Sequence, residues 1–169
     1  MKNALAVALA LAAPLLAEGQ AASPLPGAVP LGVVVQAGLG AGGMLGGGSD
    51  YSRKGLFEGE VAVGWEAGMG IRPELAVALG IAPRRHLALR PGLHYSPPEL
   101  PFYLRAALDW STVRGPGGSG GFRWLLAGVG AEVRLTDVLG AFGEADLGLP
   151  FARNVGIGLL ARAGVSFRF

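Results

Sequence analysis

The sequence predicts an all-β protein, an eight-stranded antiparallel up-and-down β-barrel that crosses a membrane. The first observation is the alternation of residues 155–169, where apolar side chains occupy every second position and the run ends on Phe169. The second is composition, with 30 glycines, no cysteine and 51% hydrophobic residues among 169. So much glycine disfavours helices, whereas glycine in strands permits close approach and curvature. The third is an N-terminal export leader.

The leader is predicted to be a cleavable signal peptide covering residues 1–21. Lys2 gives a positive start, residues 4–17 are apolar apart from one proline, and small residues follow. Because about 20 apolar residues are needed to cross a bilayer, this run is predicted to be removed rather than to anchor the chain. Residues 22–30 are proline-rich and predicted to be extended, and residues 31–169 are assigned to the barrel.

The first two predicted strands each have one apolar face. Residues 31–43 alternate between aliphatic side chains and mostly glycine, and a glycine-rich loop follows them. Residues 57–71 continue the alternation, with glutamates on the opposite face. Arg72-Pro73-Glu74 is then predicted to form a tight turn.

The third and fourth predicted strands are shorter. Residues 75–82 place Leu, Val and Ile at alternate positions, and a loop that includes His86 follows them. Residues 87–95 contain Pro91, which cannot donate to a ladder hydrogen bond. We therefore expect a bulge or a break at Pro91 and an exposed position for His86.

The last four predicted strands cover residues 102–113, 122–135, 138–149 and 155–169. Each again alternates apolar residues with small, polar or charged ones, and residues 114–121 between the first two of them are rich in glycine. Eight strands is an even number, so both chain ends are predicted to lie at the same end of the barrel.

Most aromatic residues fall near predicted strand ends. One group contains Tyr95, Phe102, Phe167 and Phe169, and the opposite group contains Tyr51, Phe57, Trp110, Phe122, Trp124 and Phe151. Trp65 and Phe142 are expected nearer the middle. Two aromatic bands around an aliphatic belt are typical of a protein whose surface meets both interfaces of a bilayer.

Charged side chains have the opposite parity and are predicted to face the lumen. An eight-stranded barrel has an interior just wide enough for side chains to fill, so acids and bases there should pair. We predict a structural ion-pair network that plugs the barrel; a gated pore and a catalytic carboxylate pair are the alternatives. Its predicted members are Glu58, Glu60, Glu66, Arg90, Arg105, Asp109, Glu132, Arg134, Glu144, Asp146, Arg162 and Arg168.

The final strand carries a family resemblance. Val165, Phe167 and Phe169 alternate up to the last residue, and this ending resembles the C-terminal signal strand of bacterial outer-membrane barrels. With the eight-strand pattern, the chain resembles the small barrels of the OmpA/OmpX type over residues 31–169. The resemblance implies export to the outer membrane, recognition by the barrel-assembly machinery through those three residues, contact with outer-membrane lipid and a monomeric barrel.

Two histidines bear on catalysis. His94-Tyr95-Ser96 resembles the histidine-x-serine pair of outer-membrane lipid A deacylases, but Pro97-Pro98 departs from that family's pattern. Ser96 is also predicted at the end of the barrel away from outer-leaflet lipid. We predict no enzymatic activity, no metal site and no cofactor, since His86 and His94 are far apart and the acids are scattered.

The connections at the end opposite the chain termini are basic. They contain Arg53, Lys54, Arg84, Arg85, Arg114 and Arg153, with only Asp50 opposing them. Such a rim fits anionic lipid head groups or surface polysaccharide, or it serves solubility and orientation alone. Nucleic acid is not expected as a partner, because the aromatic residues are not interleaved with the basic ones.

The most favoured function is a structural or surface-interaction role in the cell envelope. A narrow passive channel for ions or small solutes is the second hypothesis, and a lipid-modifying hydrolase is the third.

Overall fold

The computed structural model describes residues 32–46, 55–98, 100–112, 120–151 and 155–169. Within them lie eight strands: β1 Val33–Leu45, β2 Leu56–Trp65, β3 Ile71–Ala82, β4 His86–Tyr95, β5 Phe102–Ser111, β6 Gly121–Arg134, β7 Leu139–Pro150 and β8 Ile157–Arg168. No helix in this described part of the chain is long and apolar enough to cross a membrane. The predicted signal peptide and the segment 22–30 lie outside the described residues.

The strands form a closed barrel in chain order, which confirms the predicted fold class. Each strand pairs antiparallel with the next, and β8 closes the barrel against β1 from Val34↔Arg168 to Leu45↔Ile157. The amide of Phe169 donates to the carbonyl of Val33 at 3.0 Å, and the Val33 amide donates back at 3.2 Å. We call the end that holds Val33 and Phe169 the terminal end, and the opposite end the loop end.

The β2–β3 turn lies earlier in the chain than predicted. β2 ends at Trp65, and the turn uses positive φ at Gly68, Met69 and Gly70. Two glycines make that left-handed run accessible, so the chain reverses before it reaches Pro73. Arg72-Pro73-Glu74 is therefore strand rather than turn. Pro73 is tolerated because the β2–β3 ladder ends at the pair Gly64↔Glu74 and does not extend to Pro73.

Pro91 interrupts pairing on one side only. The β3–β4 ladder keeps a regular register through Leu75↔Pro91, so the expected bulge is absent there. On the other side the β4–β5 pairs pass from Leu89↔Trp110 to Gly92↔Ala107 and skip Arg90 and Pro91, so the predicted break occurs on this side. The missing N–H of proline thus removes ladder bonds locally without shifting the register.

A bulge near the loop end turns two consecutive residues of β6 inward. Asp109 pairs with Trp124 and Trp110 pairs with Phe122, which leaves Arg123 as the extra residue. Both Arg123 and Trp124 are buried. Trp124 was predicted to lie in an aromatic band because it is near a strand end, and this was wrong: it directly precedes exposed Leu125, so the alternation turns its side chain into the lumen.

Candidate functional site

The loop-end half of the lumen contains two arginines that share one carboxylate. Arg90 is fully buried; its Nε donates to Asp109 Oδ2 at 2.8 Å, and its two Nη atoms bind Glu58. Arg123 donates to both oxygens of Asp109, at 3.1 and 2.9 Å. Charge-assisted, two-pronged contacts of this kind are the strong ones among hydrogen bonds, and they fix the orientation of the planar guanidinium.

The middle of the lumen is crossed by a continuation of the same contacts. Glu60 lies at the junction, since it accepts from Arg90 at 2.5 Å, from Arg105 at 3.2 Å and from Arg162. Arg162 also binds Glu144, and it donates to Asp146 at 2.5 Å. Strands on opposite sides of the barrel are therefore joined through their side chains.

The terminal-end half is linked to the middle through Glu74. Arg105 Nε donates to Glu74 Oε1 at 2.5 Å, and His94 Nε2 lies 2.9 Å from Glu74 Oε2. His94 Nδ1 accepts from Arg72 Nη2 at 2.8 Å, and the His94 ring stacks on Tyr103 with centroids 4.7 Å apart. Because Arg72 can only donate, His94 accepts at Nδ1 and carries its hydrogen on Nε2.

The last ion pairs lie at the mouth of the terminal end. Arg168 lies 2.7 Å from Glu132 and 3.4 Å from Glu66, and Ser166 Oγ donates to Glu132. We call the whole connected set the lumen ion-pair cluster. Its charged members are Glu58, Glu60, Glu66, Arg72, Glu74, Arg90, Arg105, Asp109, Arg123, Glu132, Glu144, Asp146, Arg162 and Arg168.

The cluster differs from the predicted network at four charged positions. Arg134 does not join it: this residue ends β6 at the terminal edge, and its side chain is exposed and without an ion pair in the described part of the chain. Arg72 and Glu74 were missed because they were placed in a turn, although they share the parity of inward Ala76. Arg123 was missed because the bulge reverses its parity.

His86 is buried rather than exposed, which corrects its predicted position. It is the first residue of β4, its side chain points inward, and only 6% of its surface is accessible. Its Nδ1–H donates to the carbonyl of Arg84 at 3.0 Å, and Nε2 accepts from Arg123 at 3.3 Å. His86 thus ties the β3–β4 connection to the lumen.

An apolar cluster fills the loop-end side of the lumen beside the ion pairs. Trp124 is at its centre, with its ring 4.0 Å from the Arg123 guanidinium and its Nε1–H donating to the Gly156 carbonyl at 2.8 Å. The alternation of the sequence does not predict this cluster. Its members are Met44, Leu56, Ala107, Trp124, Leu126, Val155 and Leu160.

Little room remains between these side chains. A cavity of about 10 Å³ lies at the middle of the lumen, where Glu60, Arg105, Glu144 and Arg162 meet Gln36 and Phe142. This volume accommodates about one water molecule. The side chains around this cavity come from β1, β2, β5, β7 and β8, so they meet across the section of the barrel.

The outer surface of the barrel is an apolar belt between two aromatic rows. Phe57 and Trp65 lie near the two ends of β2, and Phe102 and Trp110 lie near the ends of β5; all four are exposed. Each pair spans about 26 Å of strand, or about 20 Å along the barrel axis at a usual tilt. Trp65, expected near the middle, belongs to the terminal-end row because it pairs with Val33.

The predicted assembly residues lie on that outer surface. Val165, Phe167 and Phe169 all point outward, with Phe169 79% exposed at the terminal end. Phe167 pairs with Val35 on one side and with Leu139 on the other. The strand with the predicted signal is therefore the strand that closes the barrel against β1.

The basic connections are described only in part. Arg84 and Arg85 are exposed in the three-residue link between β3 and β4. Arg53, Lys54, Arg114 and Arg153 lie outside the described residues, as does Asp50.

His94 and Ser96, which resemble a hydrolase pair, lie in different surroundings. His94 Nδ1 accepts from Arg72, and the buried His94 Nε2 lies 2.9 Å from Glu74 Oε2. Ser96 is exposed at the start of the β4–β5 connection, where its amide donates to the Gly70 carbonyl at 2.7 Å. Residues 32–46, 55–98, 100–112, 120–151 and 155–169 contain no cluster of three or more His, Asp or Glu side chains arranged for a metal ion.

Comparisons with known proteins identify the fold. Neisserial surface protein A matches with a TM-score of 0.56 and 15% identity, covering 82% of this chain and 97% of that one. The N-terminal β-barrel domain of Pseudomonas aeruginosa OprF matches with a TM-score of 0.55 and 18% identity over the same shares. A designed transmembrane β-barrel matches with a TM-score of 0.58 and 13% identity, covering 83% and 97%.

No protein-family model matches the sequence, and no curated protein matches it. At these identities the likeness concerns the architecture alone. The chain has the fold of the small eight-stranded transmembrane barrels.

Proposed function

We propose that this protein is an exported outer-membrane barrel with a structural or surface-interaction role and a lumen closed by its own side chains. The observation that carries the proposal is the lumen ion-pair cluster, which joins opposite walls and leaves a cavity of only about 10 Å³. The proposal includes no enzymatic activity and no cofactor. Its partners are membrane lipid and, through the last strand, the assembly machinery; the barrel acts as a monomer.

The outer surface supports insertion into a bilayer. Leucines and valines on the outward face are about half exposed, as Leu79 and Val61 illustrate at 60% and 52%. An apolar surface of this extent is stable only when lipid or protein covers it. The belt of about 20 Å between aromatic rows is close to the apolar band of about 25 Å found in outer-membrane barrels. The fold of Neisserial surface protein A and OprF, both outer-membrane proteins, supports the same location.

Assembly through the last strand is tested by replacing Phe169 with Asp in cells. We expect less heat-modifiable, membrane-inserted protein and more periplasmic aggregate. Tyr95→Asp is the matched control, because Tyr95 is an exposed aromatic residue at the same end but on β4. If both variants insert normally, the outer-membrane assignment fails. If both fail equally, Phe169 acts as an interface anchor rather than as an assembly signal.

Closure of the lumen is tested by single-channel recording on refolded wild-type protein. An ion that crosses must separate buried pairs such as Arg162 with Glu60 and Asp146, each held by several contacts. We therefore expect no stepwise current from protein whose insertion has been verified by heat modifiability. A steady open-channel current would favour the alternative function, a narrow passive channel.

Hydrolase activity is the third candidate. It would need His94 as a general base for Ser96, yet His94 Nδ1 accepts from Arg72 and Nε2 faces Glu74, while Ser96 is exposed outside β4. We expect refolded protein to release no fatty acid from lipid A or phospholipid vesicles. Release that Ser96→Ala abolishes would establish the hydrolase instead.

A further inference from the structure

We propose that Arg84 and Arg85 form a binding site for the phosphate of anionic lipid head groups at the loop end of the barrel. The proposal rests on the membrane insertion proposed above and specifies a lipid class that contacts this surface. Four observations support it: the height of the two arginines on the barrel, their exposure, the rigidity of their connection and the distribution of charge between the two ends.

The position of Arg84 and Arg85 along the barrel axis follows from the strand register. Ala82, the last residue of β3, pairs with Phe57, which belongs to the loop-end aromatic row. Arg84 and Arg85 follow Ala82 by two and three residues. Since aromatic side chains of such a row lie at the membrane interface, the two guanidinium groups lie just beyond it, at the level of lipid phosphates.

Both guanidinium groups are free to bind a ligand. Arg84 and Arg85 are exposed, and neither has an ion-pair partner among the described residues. The inward arginines differ in this respect, since each one is committed to a carboxylate of the lumen. Arginine suits phosphate because its planar fork donates two parallel hydrogen bonds to two oxygens.

The connection that presents the arginines is held in place from below. The Arg84 carbonyl accepts from His86 Nδ1, and His86 is buried against Arg123. Leu87 follows His86 in the chain. Its amide donates to Thr112 Oγ1 at 3.0 Å, and its carbonyl accepts from the Thr112 amide at 2.8 Å. A link of three residues anchored in this way presents its charges from a backbone with little entropy left to lose on binding.

Among the described residues the terminal end lacks a matching pair. Arg134, the last residue of β6, is exposed, but exposed Asp137 in the β6–β7 connection lies three residues away and opposes it. Arg168, also near that end, is paired with Glu132. Anionic lipid should therefore gather beside the loop-end rim and not beside the terminal-end rim, which gives the experiment an internal control.

Tryptophan fluorescence can separate the two ends. Trp110 is outward in the loop-end row and pairs with Leu89, on the strand that follows Arg85. Trp65 is outward at the terminal end, and Trp124 is buried in the lumen, where it contributes a constant background. Trp65→Phe isolates the signal of Trp110, and Trp110→Phe isolates that of Trp65.

The test uses phosphatidylcholine vesicles that contain a minor fraction of phosphatidylglycerol, with bromine, a quencher of tryptophan fluorescence, on the acyl chains of one lipid or the other. At low salt, we expect brominated phosphatidylglycerol to quench Trp110 beyond its mole fraction. The expected local excess of phosphatidylglycerol is about fivefold for each arginine, which is the contribution of one basic residue near an anionic surface. Trp65 should report no excess.

The variant Arg84→Gln/Arg85→Gln should abolish the excess at Trp110, and Arg134→Gln should leave it unchanged. No excess in the Trp65→Phe protein, or an excess that survives the double substitution, would overturn the site while leaving membrane insertion intact. If brominated phosphatidylcholine quenches neither Trp110 nor Trp65, the barrel is not inserted. In that case the proposed function fails and the site fails with it.

Discussion

The lumen is filled in two different ways, and the comparison shows how each filling contributes to stability. The lumen ion-pair cluster spans the middle, where Glu60 alone contacts three arginines. The apolar cluster around Trp124 fills the loop-end side and depends mainly on packing, with one hydrogen bond from Trp124 to Gly156. Removing one member of an ion-pair cluster costs more stability than the lost contacts alone, because the remaining charges stay buried. An apolar cluster loses stability in proportion to the volume removed.

The largest expected effect is that of Arg105→Ala. Arg105 contacts Glu74, Glu60 and Glu144, and 4% of its surface is exposed. Its removal leaves Glu74 buried without an arginine partner among the described residues and takes one of several partners from Glu60 and Glu144, so we expect the free energy of unfolding to fall by about 3–5 kcal/mol. Urea unfolding from lipid vesicles measures the loss, and Arg134→Ala, at an exposed site, should change it by less than about 0.5 kcal/mol.

A small loss for Arg105→Ala would contradict the proposed dry, closed lumen, because water around the carboxylates would soften the penalty. A double-mutant cycle sharpens the result. Glu74→Gln should cost less in the Arg105→Ala background than in the wild type, since its partner is already absent. Additive losses would mean that the 2.5 Å contact contributes nothing to stability.

Trp124→Ala should produce a loss of similar size by the other mechanism. The indole is almost fully buried against Leu126, Leu160 and Met44, and truncation leaves a cavity. We expect a loss of about 3–5 kcal/mol in the same unfolding experiment. Trp124→Phe keeps most of the volume and removes the hydrogen bond to Gly156, so it should cost about 1 kcal/mol. Equal losses for the two variants would show that the site collapses around the smaller side chain.

The lipid-facing surface gives the next effect. Val129 is outward, half exposed and near the middle of β6. An arginine there should cost about 2–4 kcal/mol if the residue lies near the bilayer centre. Asp137→Arg, in an exposed connection, should change stability by less than about 0.5 kcal/mol. Equal effects at both sites would mean that Val129 does not face lipid.

The sequence predicted the strands and most of the charged lumen because both depend on the period of two. Glu58, Arg105 and Arg162 stand at inward positions of unbroken alternation, and the structure joins them into one cluster. The apolar cluster follows no such rule, since inward Leu126 and Leu160 have apolar residues on both sides. Leu160 is the one apolar inward residue of the last strand, which is the local signal that part of the lumen is not polar.

The misplaced turn and the missed bulge in the predicted strands each have a local cause. The β2–β3 turn was placed at Pro73, although Gly68 and Gly70 had already reversed the chain. That misplacement concealed two members of the ion-pair cluster. The bulge at Arg123 has no counterpart in the alternation, because a bulge depends on how two strands pair and not on either strand alone.

The smallest expected effects come from two glycines that compare the inner and outer faces directly. Gly130 on β6 points inward, and a Cβ there would overlap the ring of Tyr103 and lie 2.8 Å from the Gly143 carbonyl. Gly143 on β7 points outward, and nothing lies within 4 Å of its added Cβ. Gly130→Ala should therefore cost about 1–3 kcal/mol through overpacking. Gly143→Ala should be neutral or stabilise by about 0.4–1 kcal/mol, since alanine restricts the unfolded chain. Urea unfolding of the two variants side by side measures the difference. A Gly130→Ala protein as stable as Gly143→Ala would show that Tyr103 has room to move, and the lumen would then be less tightly packed than its described side chains indicate.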